Sequence, residues 1–169
     1  GLGGMVYTLV QQRQAQVAQA TNRTQLQVAQ QQETARQQTL QATLDWSYRL
    51  LGGPERRLFG RLAVFAGGWT LESAEAVCGP EELGLDVLDG LTALVDRSLV
   101  VRTEPASGHS RFSMLETIRE FAQERLAEDG DLEQVRRRHA EHFLDLAVAA
   151  EPHLTGPDQG AWLDRCDLE

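Results

Sequence analysis

Between Thr39 and Leu126 the apolar residues recur at three- and four-residue steps, the spacing that places them on one face of an α-helix. Leu40, Leu44, Tyr48 and Leu51 make the first stripe, with Thr39 as its expected N-cap and Gly52, Gly53 and Pro54 as its stop. Pro54 suits the first turn of a second helix, which carries Leu58, Phe59, Leu62 and Ala63. Phe65 and Trp69 flank a turn at Gly67 and Gly68. Thr70 then caps a third helix reaching Val77, which Gly79 and Pro80 end. Leu85, Leu88, Leu91 and Val95 predict the buried stripe of a fourth helix, and Trp46, Trp69 and the phenylalanines are expected in the core.

After Arg97 the period shortens to two. Leu99 and Val101 alternate with Val100 and Arg102, Phe112 and Met114 alternate with Arg111 and Ser113, and the turn-rich EPASGHS between them predicts a β-hairpin. A fifth helix follows with Leu115, Ile118, Phe121, Ala122 and Leu126 on its inner face. Beyond Gly130, Asp131 is the expected cap of a helix through RRRHAEHFLDLAVAA. Pro152 and Gly156-Pro157 break that helix, and Gln159 to Leu168 begins another. Before Thr39 the pattern is different: Val17, Leu26 and Val28 are too sparse in a Gln-rich tract to build a core, which predicts a solvated helix or a disordered tail. The chain thus divides into residues 1–38, 39–129 and 130–169.

Composition narrows the function. Aromatics are scarce among the 169 residues, and Ala, Leu, Gln, Arg and Glu dominate, favouring a mainly α fold. All 16 basic residues are arginine. A P-loop uses a lysine on the nucleotide phosphates, so a standard Walker A site is excluded from this chain. The net charge of -9 weighs against a free-standing nucleic-acid reader, which neutralises phosphates with a basic face. Cys78 and Cys166 lack a CxxC partner and follow no secretory signal, predicting reduced thiols in a cytoplasmic protein. No apolar run is long enough to span a bilayer.

The phrases TLQATLDWSYRLL, PERRLFGRLAVFAGGWTLESAEAVC, LTALVDRSLVVR and RFSMLETIREFAQERL, in that order, resemble the winged-helix segment of the NB-ARC branch of STAND ATPases, as found in bacterial LuxR-type and AfsR-like transcriptional regulators. The resemblance implies a winged-helix domain at 39–129, with the hairpin as its wing. It also implies the incomplete start of a TPR-like helical array at 130–169, since one helix pair cannot bury both of its faces. Related proteins carry the helical end of their ATPase where this chain has its Gln-rich tail. That departure and the opening Gly lead us to expect a piece of a longer protein. The family's Met-His-Asp nucleotide-sensing motif corresponds to Met114, Leu115 and Glu116; the Met is retained, and Leu115 cannot donate the hydrogen bond that a His would.

The resemblance implies a non-catalytic regulatory module that packs against a preceding ATP- or ADP-binding NB-ARC domain and holds the resting state, with DNA bound by another domain. Two alternatives stand beside it: a DNA-binding winged helix-turn-helix and a protein-interaction scaffold. Against the first, the helix before the wing exposes Asp86, Asp89, Thr92 and Asp96, with only Arg97 and Arg102 nearby to offset them. Three smaller signals remain. His139 and His142 lie one turn apart, without a third residue in register to complete a metal site. Arg136, Arg137 and Arg138 read as a solvated face paired with Glu133 and Glu141. Glu81 and Glu82 fall in a loop with no cleft to support acid-base catalysis.

Overall fold

The computed structural model describes residues 1–104, 110–155 and 159–167, with side chains described as far as residue 163. The turn-rich centre of EPASGHS, the break at Gly156-Pro157, the end of the last helix at Leu168 and the Cys166 side chain lie outside the described residues. The chain forms two compact units, Gly1–Asp45 and Trp46–Glu169.

The first unit is helical from Leu2 onward. Helix α1 runs Leu2–Arg49, and every residue before Leu44 is exposed. Thr39 is therefore not a cap. No Gly or Pro interrupts the sequence between Met5 and Leu51, so nothing stops the helix ahead of it, and its hydroxyl donates to the Ala35 carbonyl at 2.9 Å. Thr21, Thr24, Thr34 and Thr43 make the same bond four residues back. Leu40 is exposed as well, so the predicted stripe is buried only from Leu44 onward.

The second unit holds the core. Trp46, expected inside, is 64% exposed. It lies about 200° around the helix from Tyr48, whose face is turned inward. Tyr48 meets Phe59 and Phe121 at ring-centroid distances of 5.8 and 5.6 Å. Helix α2 spans Gly53–Leu62, with Pro54 in its first turn and the Glu55 carboxylate accepting from the Gly52 amide. It buries Leu58, Phe59 and Leu62. Gly68, at φ 130°, admits the carbonyl of Phe112 so closely that a Cβ there would lie 2.8 Å from it. The chain then enters β1 (Trp69–Thr70) and α3 (Leu71–Cys78), which Thr70 caps by accepting from the Ser73 amide.

The two helices after α3 also differ from the sequence reading. Glu81 and Glu82 belong to a short helix α4 (Pro80–Leu83) rather than to a loop. Helix α5 begins later than expected, at Val87–Asp96, because the Asp86 carboxylate caps it by accepting from the amides of Leu88 and Asp89. Its buried face is Val87, Gly90, Leu91 and Leu94, whereas Leu88 is 46% exposed. Both stripes satisfy helical spacing. The close packing of Gly90, where a Cβ would run into Leu58 and Leu85, selects between them.

Strands β2 (Val101–Thr103) and β3 (Arg111–Ser113) form the predicted antiparallel hairpin, with Arg102 opposite Phe112. The strand order β1-β3-β2 adds β1 at one edge, pairing Trp69 with Phe112. Two residues are too few to show a period, so β1 left no pattern in the sequence. Helix α6 (Glu116–Asp129) buries Ile118, Phe121, Ala122 and Leu126, and α7 (Leu132–Ala150) packs against α3. A 3-10 turn (Glu151–His153) and α8 (Gln159–Asp167) close the chain.

Candidate functional site

The face that a winged helix would turn toward DNA is built from α5 and the wing. On α5 the exposed side chains are Leu88, Asp89, Thr92 and Asp96, with no basic residue among them. The two arginines expected to offset these carboxylates are engaged elsewhere. Arg97 folds back to donate to the carbonyls of Ala93 and Leu50. Arg102 pairs with Glu104 at 2.8 Å and donates to the Ser110 hydroxyl. Both guanidiniums are thus held by neighbouring groups in this structure, Arg102 in a solvent-exposed pair.

At the wing-to-helix junction, Met114 follows β3 half-buried, Leu115 sits at the N-cap of α6, and Glu116 opens the helix. Leu115 is 62% exposed, so it does not pack under the hairpin as a buried closure. Its carbonyl accepts from the Arg119 amide, but its side chain caps nothing. The Glu116 carboxylate takes two hydrogen bonds from Arg119, at 3.0 and 2.5 Å, which hold its pKa below the usual carboxylate range. Of the three consecutive residues, Met114 is half-buried while Leu115 and Glu116 are both exposed.

A second cluster was missed by sequence reasoning. Arg61, only 5% exposed, donates from Nη1 to the Cys78 carbonyl at 2.6 Å and to Glu82 at 3.0 Å, and from Nη2 to Asp131 at 2.9 Å. Glu82 is shared with Arg138, whose hydrogen bond is the largest cause of its lowered pKa. Asp131 therefore starts α7 by position while its carboxylate serves Arg61 rather than the helix amides. Arg138 reaches Glu82 instead of Glu141, and only Arg136 makes the expected pair with Glu133. One signal was available: Arg61 lies three residues after Leu58 on the apolar face of α2, and a charge there requires partners. Burial pushes the neighbouring Cys78 thiol up to about 12.

The two histidines of α7 diverge. His142 Nε2 lies 2.9 Å from the Ser73 hydroxyl, while the His139 ring packs against Phe65 and Phe143. Among the described residues, no three His, Cys, Asp or Glu side chains converge to hold a metal ion, and no helix is long and apolar enough to cross a membrane.

Residues 51–127 match the family described as the winged helix-turn-helix domain. Over 115 residues the chain is 44% identical to a Mycobacterium tuberculosis protein named "Putative HTH-type transcriptional regulator", covering 68% of this chain and 13% of that protein. A Mycobacterium bovis protein of the same description matches to the same extent. A Mycobacterium tuberculosis "Uncharacterized protein" is 43% identical over 109 residues, which is 63% of this chain and 28% of that protein. The chain therefore spans a small part of the relatives it matches. No solved structure matches it. The fold is mainly α-helical with a small three-stranded sheet, and the stretch from α2 to α6 carries a winged helix-turn-helix domain homologous to part of these regulators.

Proposed function

We propose that this chain is a non-catalytic regulatory module of a transcriptional regulator, and that its winged-helix face docks on a protein domain rather than reading bases. The observation that carries this reading is the exposed face of α5, where Leu88, Asp89, Thr92 and Asp96 present apolar and acidic groups with the nearest arginines engaged. Such a face would meet DNA with repulsion, whereas a protein surface with basic and apolar groups complements it. The exposed Leu115 at the helix cap fits the same use, as an apolar contact made only when a partner covers it.

Following the resemblance to STAND regulators, the partner we infer is a nucleotide-binding NB-ARC domain of the same polypeptide. It would bind ADP or ATP, with TPR-like repeats after α7 and DNA bound by a separate domain in the cytoplasm. Met114, Leu115 and Glu116 would then report the nucleotide state through packing. With Leu115 in place of a His and the Glu116 carboxylate held by Arg119, direct phosphate contact is not how they would act. The closed state is favoured by the contacts made only there, so removing one shifts the equilibrium by that differential energy.

The test is made in the full-length regulator. Leu115→Ala and Leu88→Glu should raise output in the absence of inducer while the 169-residue chain keeps its thermal stability. Unchanged basal output from both variants, expressed at wild-type levels, would remove the docking role. The winged helix-turn-helix match also favours a second reading, direct DNA binding, and gel retardation with the chain separates the two.

A further inference from the structure

We propose that the contact between α3 and α7 is an acid-sensitive latch, in which His139 packs α7 on the winged-helix domain near neutral pH and loosens it on acidification. The geometry has two parts. A polar relay runs from the Thr70 hydroxyl to the Ser73 hydroxyl at 3.3 Å and on to His142 Nε2 at 2.9 Å, tying the cap of α3 to α7. One turn earlier, the half-buried His139 ring packs in a three-ring cluster with Phe65 and Phe143, whose own centroids are 6.4 Å apart. Its centroid lies 5.1 Å from that of Phe65 and 4.6 Å from that of Phe143, and Phe65 itself packs on the buried Trp69 at 5.4 Å.

Among the described residues His139 has no carboxylate partner. The charged groups on the surrounding elements are committed elsewhere. Arg61, Glu82, Asp131 and Arg138 pair with one another across α2, α4 and α7. On α3, Glu72 and Glu75 are exposed, and on α6 Arg125 pairs with Glu128. The charge that acts on His139 through space is that of His142, of like sign when both rings are protonated. Burial and that neighbour both disfavour the imidazolium, so the His139 pKa lies below its ordinary value, with burial the larger cause.

The sign follows from linkage. When α7 lifts away, His139 regains its ordinary affinity for protons, so the open form takes up protons that the docked form refuses. Docking is therefore fully favoured above the ordinary histidine range and weakens as pH falls through and below it. One additional proton taken up on opening raises the opening constant up to about tenfold per pH unit.

Amide hydrogen exchange of the whole chain at pH 7.5 and 5.5, corrected for intrinsic rates, tests this, with the α5 amides as internal reference. The expected result is a selective fall in α7 protection relative to α5 at the lower pH, bounded at about tenfold for one histidine. His139→Phe, which keeps the ring packing without a titrating nitrogen, should abolish that selective fall. Equal protection of wild-type α7 at both pH values, or the same fall in His139→Phe, overturns the proposal. Should that variant fail to fold, NMR titration of the wild-type His139 ring decides: a pKa at or above that of free histidine overturns it.

Discussion

Leu115 occupies a helix N-cap, a position where Ser, Thr, Asp or Asn would satisfy amides of the first turn. The chain leaves that stabilisation unused and exposes an isobutyl group instead. Leu115→Ser should therefore stabilise the isolated chain by about 0.5–2 kcal/mol in urea unfolding. Leu115→Ala should stay within about 0.5 kcal/mol of wild type, as substitutions at exposed sites do. A loss of about 2–4 kcal/mol on Leu115→Ala, the cost of truncating a buried leucine, would show that the side chain is covered within the chain itself. Cys78 makes a different residue-scale prediction. Its thiol is buried and pushed up to about 12, so thiolate is scarce at pH 8. Mass spectrometry should find Cys78 unmodified by a thiol reagent in the native chain and modified once denaturant is added.

Among the elements, the Arg61 cluster joins α2, α3, α4 and α7 through one buried guanidinium. Arg61→Ala leaves the buried Cys78 carbonyl without its donor and should destabilise the chain by roughly 1–3 kcal/mol. Arg138→Ala, at the more exposed end, should cost about 0–1 kcal/mol. Glu82 has its pKa lowered by Arg138 and then Arg61. Its contribution to stability is thus present above the ordinary carboxylate value and is lost as pH falls through the lowered one. Helix spacing made α2, α3 and α6 legible in the sequence, together with the Thr70 cap and the hairpin. It could not choose between two equally periodic stripes on α5, because that choice rests on Asp86 as cap and on the fit of Gly90 against Leu58. The two-residue β1, the four-residue α4 and the partners of Arg61 are products of tertiary contact, and no local pattern announces them. Of the candidate site, the acidic face of α5 and the Met114 to Glu116 junction could be read from residue order, while the outward turn of Leu115 required the fold.

For the molecule as a whole, a winged helix-turn-helix domain is combined with an α5 face that carries acidic and apolar groups and no basic one. The net charge of -9 and the uniformly non-basic face of α5 act in the same direction, against phosphate binding. A fold of this kind places a helix and a wing, while the side chains decide what they meet. The most direct measurement is selection from a pool of random duplexes by the 169-residue chain at physiological salt, with nonspecific competitor in excess. No sequence should be enriched over a no-protein control. A single enriched motif, bound by the chain and lost on Thr92→Ala with Asp89→Ala, would contradict this and make α5 a base-reading helix.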